Sequence, residues 1–178
     1  MIQHKNPAYL RASYLSLDSR QIYDPAKTAF FAVNGLNHDG HQYVESLYAK
    51  GVREFIVEES AWHGTLAEKA AKWEQTNIYV VKNSIKTLQT IAQQHREQFN
   101  FPVIAITGSN GKTICKEWLA TLCGSRYKVV KSPKSYNSQI GVPLSLWAIQ
   151  EKHNLGIFEA AKELGNLGAD LYKAEVPL

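Results

Sequence analysis

Along this chain, short apolar runs bounded by turn residues alternate with stretches whose apolar positions recur every three or four residues. These are the periodicities of strands and of amphipathic helices. Tyr14-Leu15-Ser16-Leu17 and Ala29-Phe30-Phe31-Ala32-Val33 read as strands, with the turn-prone Asp18-Ser19-Arg20 and Asp24-Pro25 between them. Residues 41–50 place Val44, Leu47 and Tyr48 at helical spacing and stop at Gly51, a residue suited to the left-handed turn that ends helices. Phe55-Ile56-Val57 predicts a strand, residues 66–73 a helix and Ile78-Tyr79-Val80-Val81 another strand. Ser84 then caps a longer helix whose apolar face is Ile85, Leu88, Ile91, Ala92, His95 and Phe99.

Asn100-Phe101-Pro102 breaks that helix, because the residue before a proline is pushed out of the helical region. The expected domain boundary lies there, giving domains of residues 1–100 and 101–178. Val103-Ile104-Ala105-Ile106-Thr107 is a continuous apolar run of the kind buried on both faces of a parallel sheet. A glycine-containing turn leads into a helix over 113–123, ended by Gly124. Val129-Val130 predicts a strand, residues 141–150 a helix with Pro143 in its first turn, and Leu155-Gly156-Ile157-Phe158 a last strand ending at Glu159. Strands alternating with helices imply an α/β protein with right-handed crossovers.

Composition narrows the class. Of 178 residues, 44% are hydrophobic and 20% charged, which fits a globular chain and excludes disordered and fibrous ones. No apolar run approaches the roughly 20 residues of a membrane helix, and Met1-Ile2-Gln3-His4-Lys5-Asn6-Pro7 lacks the apolar core of a signal peptide. The two cysteines, Cys115 and Cys123, stand about 12 Å apart if they share a helix. That is too far for a disulfide, so buried, inert thiols and a cytoplasmic setting are expected. The net charge of +4 is too weak to argue for nucleic acid. Its distribution says more: residues 1–100 carry 11 positives and 10 negatives, whereas 112–134 carries six positives against Glu117 alone. A local cluster of this kind suits a phosphorylated ligand.

The strongest chemical signal is Thr107-Gly108-Ser109-Asn110-Gly111-Lys112-Thr113, set between an expected strand and an expected helix. Phosphate binding needs converging backbone N–H groups, hence glycines that permit close approach and unusual dihedrals. A helix N-terminus adds unpaired amides and a positive dipole end. Lys112 suits β- and γ-phosphates, and the Thr113 hydroxyl suits Mg2+. The general phosphate-loop pattern has a glycine where this chain has Ile106, so this is a shortened form. Glu159, at the C-terminal end of a strand, is placed where ligand sites of open α/β sheets lie and is a candidate metal carboxylate.

The short loop, followed by Tyr136-Asn137-Ser138-Gln139-Ile140-Gly141-Val142-Pro143, resembles the ATP-dependent Mur ligases of peptidoglycan synthesis. Leu17-Asp18-Ser19-Arg20, Phe30-Phe31-Ala32-Val33-Asn34-Gly35, Asp39-Gly40-His41 and Gly51-Val52 are similar to that family's UDP-binding domain. The resemblance covers roughly residues 10–160 and leans to the members that add D-alanyl-D-alanine to UDP-MurNAc-tripeptide, in forms fused to alanine racemase. It implies a small N-terminal UDP-binding α/β domain followed by an incomplete phosphate-loop ATPase domain with a mainly parallel sheet. It further implies that Gly108, Ser109, Asn110, Gly111, Lys112, Thr113 and Asn137 bind ATP. Thr113 and Glu159 would hold Mg2+, and Lys112 and Glu159 would serve catalysis. Ser19, Arg20, Asn34, Gly35 and His41 would face the sugar nucleotide.

The implied reaction is amide-bond ligation through an acyl phosphate, with UDP-MurNAc-peptide and D-alanyl-D-alanine as substrates and neither nucleic acid nor membrane as partner. Several readings stay open. Asp18-Ser19-Arg20 also reads as a plain turn with an exposed salt bridge, and His41 as a helix start. The family's third domain has no counterpart here, Ala161 stands where a glycine is usual, and residues 163–178 align with nothing. The 178 residues alone are therefore expected to be inactive, with an exposed sheet edge and an apolar face. The alternatives are a nucleotide- or UDP-sugar-binding fragment without turnover, or another phosphate-loop NTPase.

Overall fold

The computed structural model describes residues 10–35 and 38–160, so the expectations placed on residues 161–178 lie outside the described residues. Two compact units form, residues 1–88 and 89–178, and the division falls inside a helix.

In the first unit the chain runs through β1 (Tyr14–Ser16), β2 (Thr28–Phe31), a short antiparallel hairpin of β3 (Asn34–Gly35) and β4 (His38–Asp39), α1 (Val44–Ala49), β5 (Glu54–Glu58), α2 (Thr65–Ala70), β6 (Asn77–Val81) and the start of α3 (Ser84–Glu97). Strands β1, β2, β5 and β6 lie side by side in that order, all parallel, with Phe30 opposite Phe55 and Ile56 opposite Tyr79. Parallel neighbours need crossovers, and α1 and α2 supply those leading into β5 and β6. Ala29, Phe30, Phe31, Phe55, Ile56 and Val57 have no exposed surface. Each such large side chain contributes about 1.5–3 kcal/mol by leaving water. Val44 and Leu47 of α1 join this core, and Tyr48 stacks on Trp73 with ring centroids 4.3 Å apart. Glu54 is buried at the start of β5, where its carboxylate accepts the backbone N–H groups of Arg11 and Ala12. A charge at a strand end thereby fastens the incoming chain to the sheet.

The helix expected over 41–50 begins as a 3-10 turn, Gly40–Tyr43, before α1. The Asp39 side chain accepts the His41 N–H at 2.9 Å and sets that tighter entry. Gly40 is obligatory for packing: a Cβ there would lie 2.9 Å from the Val33 backbone nitrogen.

In the second unit β7 (Val103–Ile106), α4 (Lys112–Cys123), β8 (Val129–Lys131), α5 (Gly141–Trp147) and β9 (Leu155–Glu159) follow the end of α3. The sheet order is β7-β9-β8, all parallel, and the central β9 is buried throughout. Val142, Leu146 and Ile149 pack with Phe158, Val130 and Ala92. Helix α5 ends at Trp147, short of the expected Gln150, because Ala148 and Ile149 turn back to the carbonyls of Ser145 and Leu146.

Two expectations are corrected here. Strand β7 is not buried on both faces: Ile104 and Ala105 are exposed, since among the described residues β9 alone pairs with it. An apolar run marks a strand that gains from cover, but the cover itself has to come from other elements. The cysteines are not buried either: Cys115 is exposed and Cys123 half-buried. Helix α4 turns Ile114, Trp118 and Leu122 outward, while its buried residue is Lys116. Among the described residues no helix is long and apolar enough to cross a membrane.

Candidate functional site

The segment after β7 has the shape its glycines allow. Gly108 has φ 137° and Gly111 φ 80°, backbone states that side chains rarely adopt, and Gly111 is the residue on which α4 starts. A Cβ at either glycine would meet nothing within 4 Å, so the space in front of the loop is open. Gly111 gives the helix no side-chain cap, and its first turn holds no acidic residue. The unpaired amides and the positive dipole end of α4 therefore remain available to an anion. The Lys112 ammonium arches back over the loop and donates to the Gly108 carbonyl at 2.6 Å. Ser109 and Asn110 are exposed at the tip, and Lys112 and Thr113 are half-buried at its base.

Sheet register brings the second element to the loop. Ile106, the last residue of β7, pairs with Glu159, the last of β9, so the carboxylate stands one strand from the loop. Glu159 is 1% exposed, and its Oε2 accepts from the Thr113 hydroxyl at 3.1 Å. Its Oε1 is ion-paired with the Lys116 ammonium at 2.8 Å. Its backbone N–H donates to the Ser132 hydroxyl at 3.1 Å. The Ser135 hydroxyl lies 3.5 Å from that of Thr113, which carries the segment leading to Asn137 alongside the loop. Asn137 is half-buried, and its N–H donates to the Ser135 carbonyl at 2.8 Å.

A hydroxyl and a carboxylate at this separation fit Mg2+. That ion takes one or two protein oxygens and completes its octahedron with phosphate and water. Among the described residues no group of three or more His, Cys, Asp or Glu is placed to hold a metal by itself. Reasoning from sequence missed Lys116, Ser132 and Ser135. The available signal was Lys116 three residues after Thr113, hence on the same helical face.

In the first unit, Asn34 and His41 line a cavity of about 480 Å3 together with Asp39, Gln42, Ser60, His63 and Lys69. His41 is buried and both ring nitrogens are engaged: Nε2 accepts the Glu58 N–H at 3.0 Å, and Nδ1 lies 2.6 Å from Asp39 Oδ1. Since Nε2 accepts, the proton sits on Nδ1 and is donated to Asp39. His41 thus ties the Asp39–His41 turn to β5.

Gly35 sits in the β3–β4 hairpin opposite His38. Ser19 lies in the turn after β1, outside the cavity lining, as does Arg20. Arg20 forks onto Asp18, with Nε to Oδ1 at 2.9 Å and Nη2 to Oδ2 at 2.8 Å. Those bonds hold the Asp18 carboxyl down at about 2 and raise the guanidinium of Arg20, to which the nearby Tyr43 also contributes.

Comparison with known proteins places the chain among one family's relatives. Residues 106–176 match the family model described as Mur ligase middle domain, and residues 11–101 the one described as Mur ligase family, catalytic domain. The UDP-N-acetylmuramoyl-tripeptide–D-alanyl-D-alanine ligase of Borreliella burgdorferi is 36% identical over 150 residues, covering 83% of this chain and 32% of that protein. The ligase of the same name from Treponema pallidum is 33% identical over 147 residues, covering 82% and 31%. Among solved structures, the MurF ligase of Thermotoga maritima in complex with ADP superposes with a TM-score of 0.71 at 26% identity, covering 97% of this chain and 37% of that one. MurF from Acinetobacter baumannii, at 24% identity and a TM-score of 0.76, shares the fold. The chain spans about a third of the length of these relatives.

Proposed function

Because the chain belongs to the Mur ligase family, we propose that it is the UDP-sugar-binding and ATP-binding part of an enzyme that joins D-alanyl-D-alanine to UDP-MurNAc-tripeptide. The observation that carries this reading is the meeting of Thr113 and Glu159 beneath an uncapped helix start, 3.1 Å apart and 46 positions apart in sequence. In such ligases the terminal carboxylate of the tripeptide takes the γ-phosphoryl group of ATP with release of ADP, and the incoming amine then displaces phosphate; bound Mg2+ would supply charge neutralisation.

The residues of this chain would do the holding. Gly108–Gly111 and the first turn of α4 would offer backbone N–H groups to phosphate oxygens. Lys112 would exchange its bond to the Gly108 carbonyl for the phosphates, bringing positive charge where negative charge builds up in phosphoryl transfer. Thr113 and Glu159 would hold Mg2+, with Asn137 beside them. In the first unit the cavity bordered by Asn34 and His41 would take part of the sugar nucleotide. His41 serves there by shaping the turn, since both of its nitrogens are already used. Arg20 would reach a diphosphate by leaving Asp18.

Calorimetric titration of the chain with Mg-ADP tests the reading, with thermal unfolding as a second readout. Ligand at 100 times its Kd stabilises by about 2.7 kcal/mol. Lys112→Ala is expected to abolish the Mg-ADP response and to leave any response to UDP-MurNAc-tripeptide intact; equal Mg-ADP affinity in the variant would remove Lys112 from the site. The 178 residues alone span about a third of the relatives, so we expect binding without turnover. Phosphate release that requires both substrates would overturn that expectation.

A further inference from the structure

A lysine with no access to water must satisfy its ammonium inside the protein or give up its charge. Lys116 is such a residue, on the face of α4 that packs toward the sheet. Its Nζ is ion-paired with Glu159 Oε1 at 2.8 Å and donates to the carbonyls of Ser132 at 2.8 Å and Lys134 at 2.5 Å. Glu117 Oε1 is a more distant neighbour at 3.4 Å, and the other oxygen of Glu117 is bound to Lys131.

Every group that Lys116 holds leads to the phosphate site. With Oε1 of Glu159 tied down, Oε2 is the oxygen that receives the Thr113 hydroxyl. Ser132 is held twice, through its carbonyl by Lys116 and through its hydroxyl by the Glu159 N–H. Lys134 has φ 48°, a conformation that side chains seldom adopt, so the path of this loop needs fastening. The next residue, Ser135, brings its hydroxyl to Thr113.

An ion pair buried only for structure is often replaced by apolar residues without loss of stability. Here the pair divides the two oxygens of one carboxylate between a cation inside the protein and the loop in front of it. We propose that Lys116 is a positioning residue of the metal–nucleotide site: without touching nucleotide, it aims Glu159 Oε2 at the Thr113 position. The inference rests on the reading of that loop as an ATP site.

The test is calorimetric titration of the chain with ADP, with and without Mg2+, which gives the factor by which metal tightens nucleotide binding. Lys116→Met is expected to cut that factor about 10- to 100-fold, the usual loss when the group behind a ligand is removed. Metal-free ADP affinity should stay within about twofold, as expected for a site Lys116 does not contact. Lys116→Met alone leaves a buried carboxylate without its cation and can unfold the chain. The comparison is therefore repeated between Glu159→Gln, in which the Lys116 ammonium keeps the Ser132 and Lys134 carbonyls, and the double variant Lys116→Met/Glu159→Gln, which carries neither charge of the pair. Once Glu159 is neutral, losing Lys116 should change the metal factor no further.

A metal factor unchanged by Lys116→Met overturns the inference. So does an equal weakening of metal-free and metal-bound ADP, or a double variant that loses more than Glu159→Gln alone. If the unaltered chain binds ADP neither with nor without Mg2+, the ATP reading itself fails and takes this inference with it.

Discussion

In the first unit, β2 and β5 place Ala29, Phe30, Phe31, Phe55, Ile56 and Val57 out of contact with water. In the second, β7 leaves Ile104 37% exposed, and α4 turns out Trp118 and Leu122 at 70% and 75%. Both sheets are parallel, and both read in sequence as short apolar runs between helices. What separates them, among the described residues, is how far each sheet is covered and the chemistry of the residues turned inward. The interior of the first unit is mainly aromatic and branched, with Glu54, His41 and the Tyr79 phenol buried among those side chains. The second turns Lys116 and Glu159 inward, a pair whose desolvation its bonds must offset. Both units have an apolar core, and the second also sets a buried ion pair next to an open loop. Proteins commonly depart from the rules of good packing where a site has to be built.

The sharpest way to break this comparison is to cut the apolar core. Phe30→Ala should cost about 3–5 kcal/mol in urea unfolding of the chain, since the cavity is closed on all sides. A loss below about 1 kcal/mol would mean that the first sheet is not the tight core described here.

A second test uses alkali. Burial beside Glu54 pushes the Tyr79 phenol up to about 12 from an ordinary 10.0. A raised acid favours the folded state fully below the unfolded value, and that contribution disappears as pH climbs from about 10 through 12. Thermal midpoints should therefore fall across that window, and Tyr79→Phe should flatten the fall. An unchanged slope in the variant would show that Tyr79 ionises freely.

On the other unit, Trp118→Gln should alter unfolding free energy by no more than about 0.5 kcal/mol, as for an exposed side chain. The same change should raise the concentration at which the chain stays in solution, measured by light scattering, because it breaks an exposed apolar stripe. A loss of stability comparable to that of Phe30→Ala would show the stripe to be part of a core.

The smallest effect belongs to the surface. Arg20→Ala should return the Asp18 carboxyl from about 2 toward 3.8 in an NMR titration. The stability attached to this pair is present above the ordinary carboxylate value and fades as pH falls toward 2. It stays slight, because the Arg20 side chain is 86% exposed.

How much of this was legible beforehand follows from the range of the forces involved. Local patterning located β2, β5, β6, α3, α4 and β9 to within a few residues, because apolar periodicity and turn chemistry act between near neighbours. The β3–β4 hairpin escaped it, since two-residue strands carry no period. In the loop over 107–113, the order of strand, glycines, lysine, hydroxyl and helix start is itself a local fact, so its shape was legible from those residues alone. The turn reading of Asp18-Ser19-Arg20 was available on the same terms, because Arg20 reaches a carboxylate two positions away.

Residue type and spacing thus determined the alternating α/β plan, the shortened loop and the resemblance that led to the family. Only the tertiary structure could decide that Glu159 stands beside Thr113, that Lys116 faces inward to hold it, and that Gly40 must clear the Val33 backbone. The same holds for the two bonds that leave the His41 proton on Nδ1. These depend on strand register and on contacts across tens of residues. Exposure follows the same logic: β7 is as apolar as the strands that are buried, and whether it is covered depends on which elements arrive beside it.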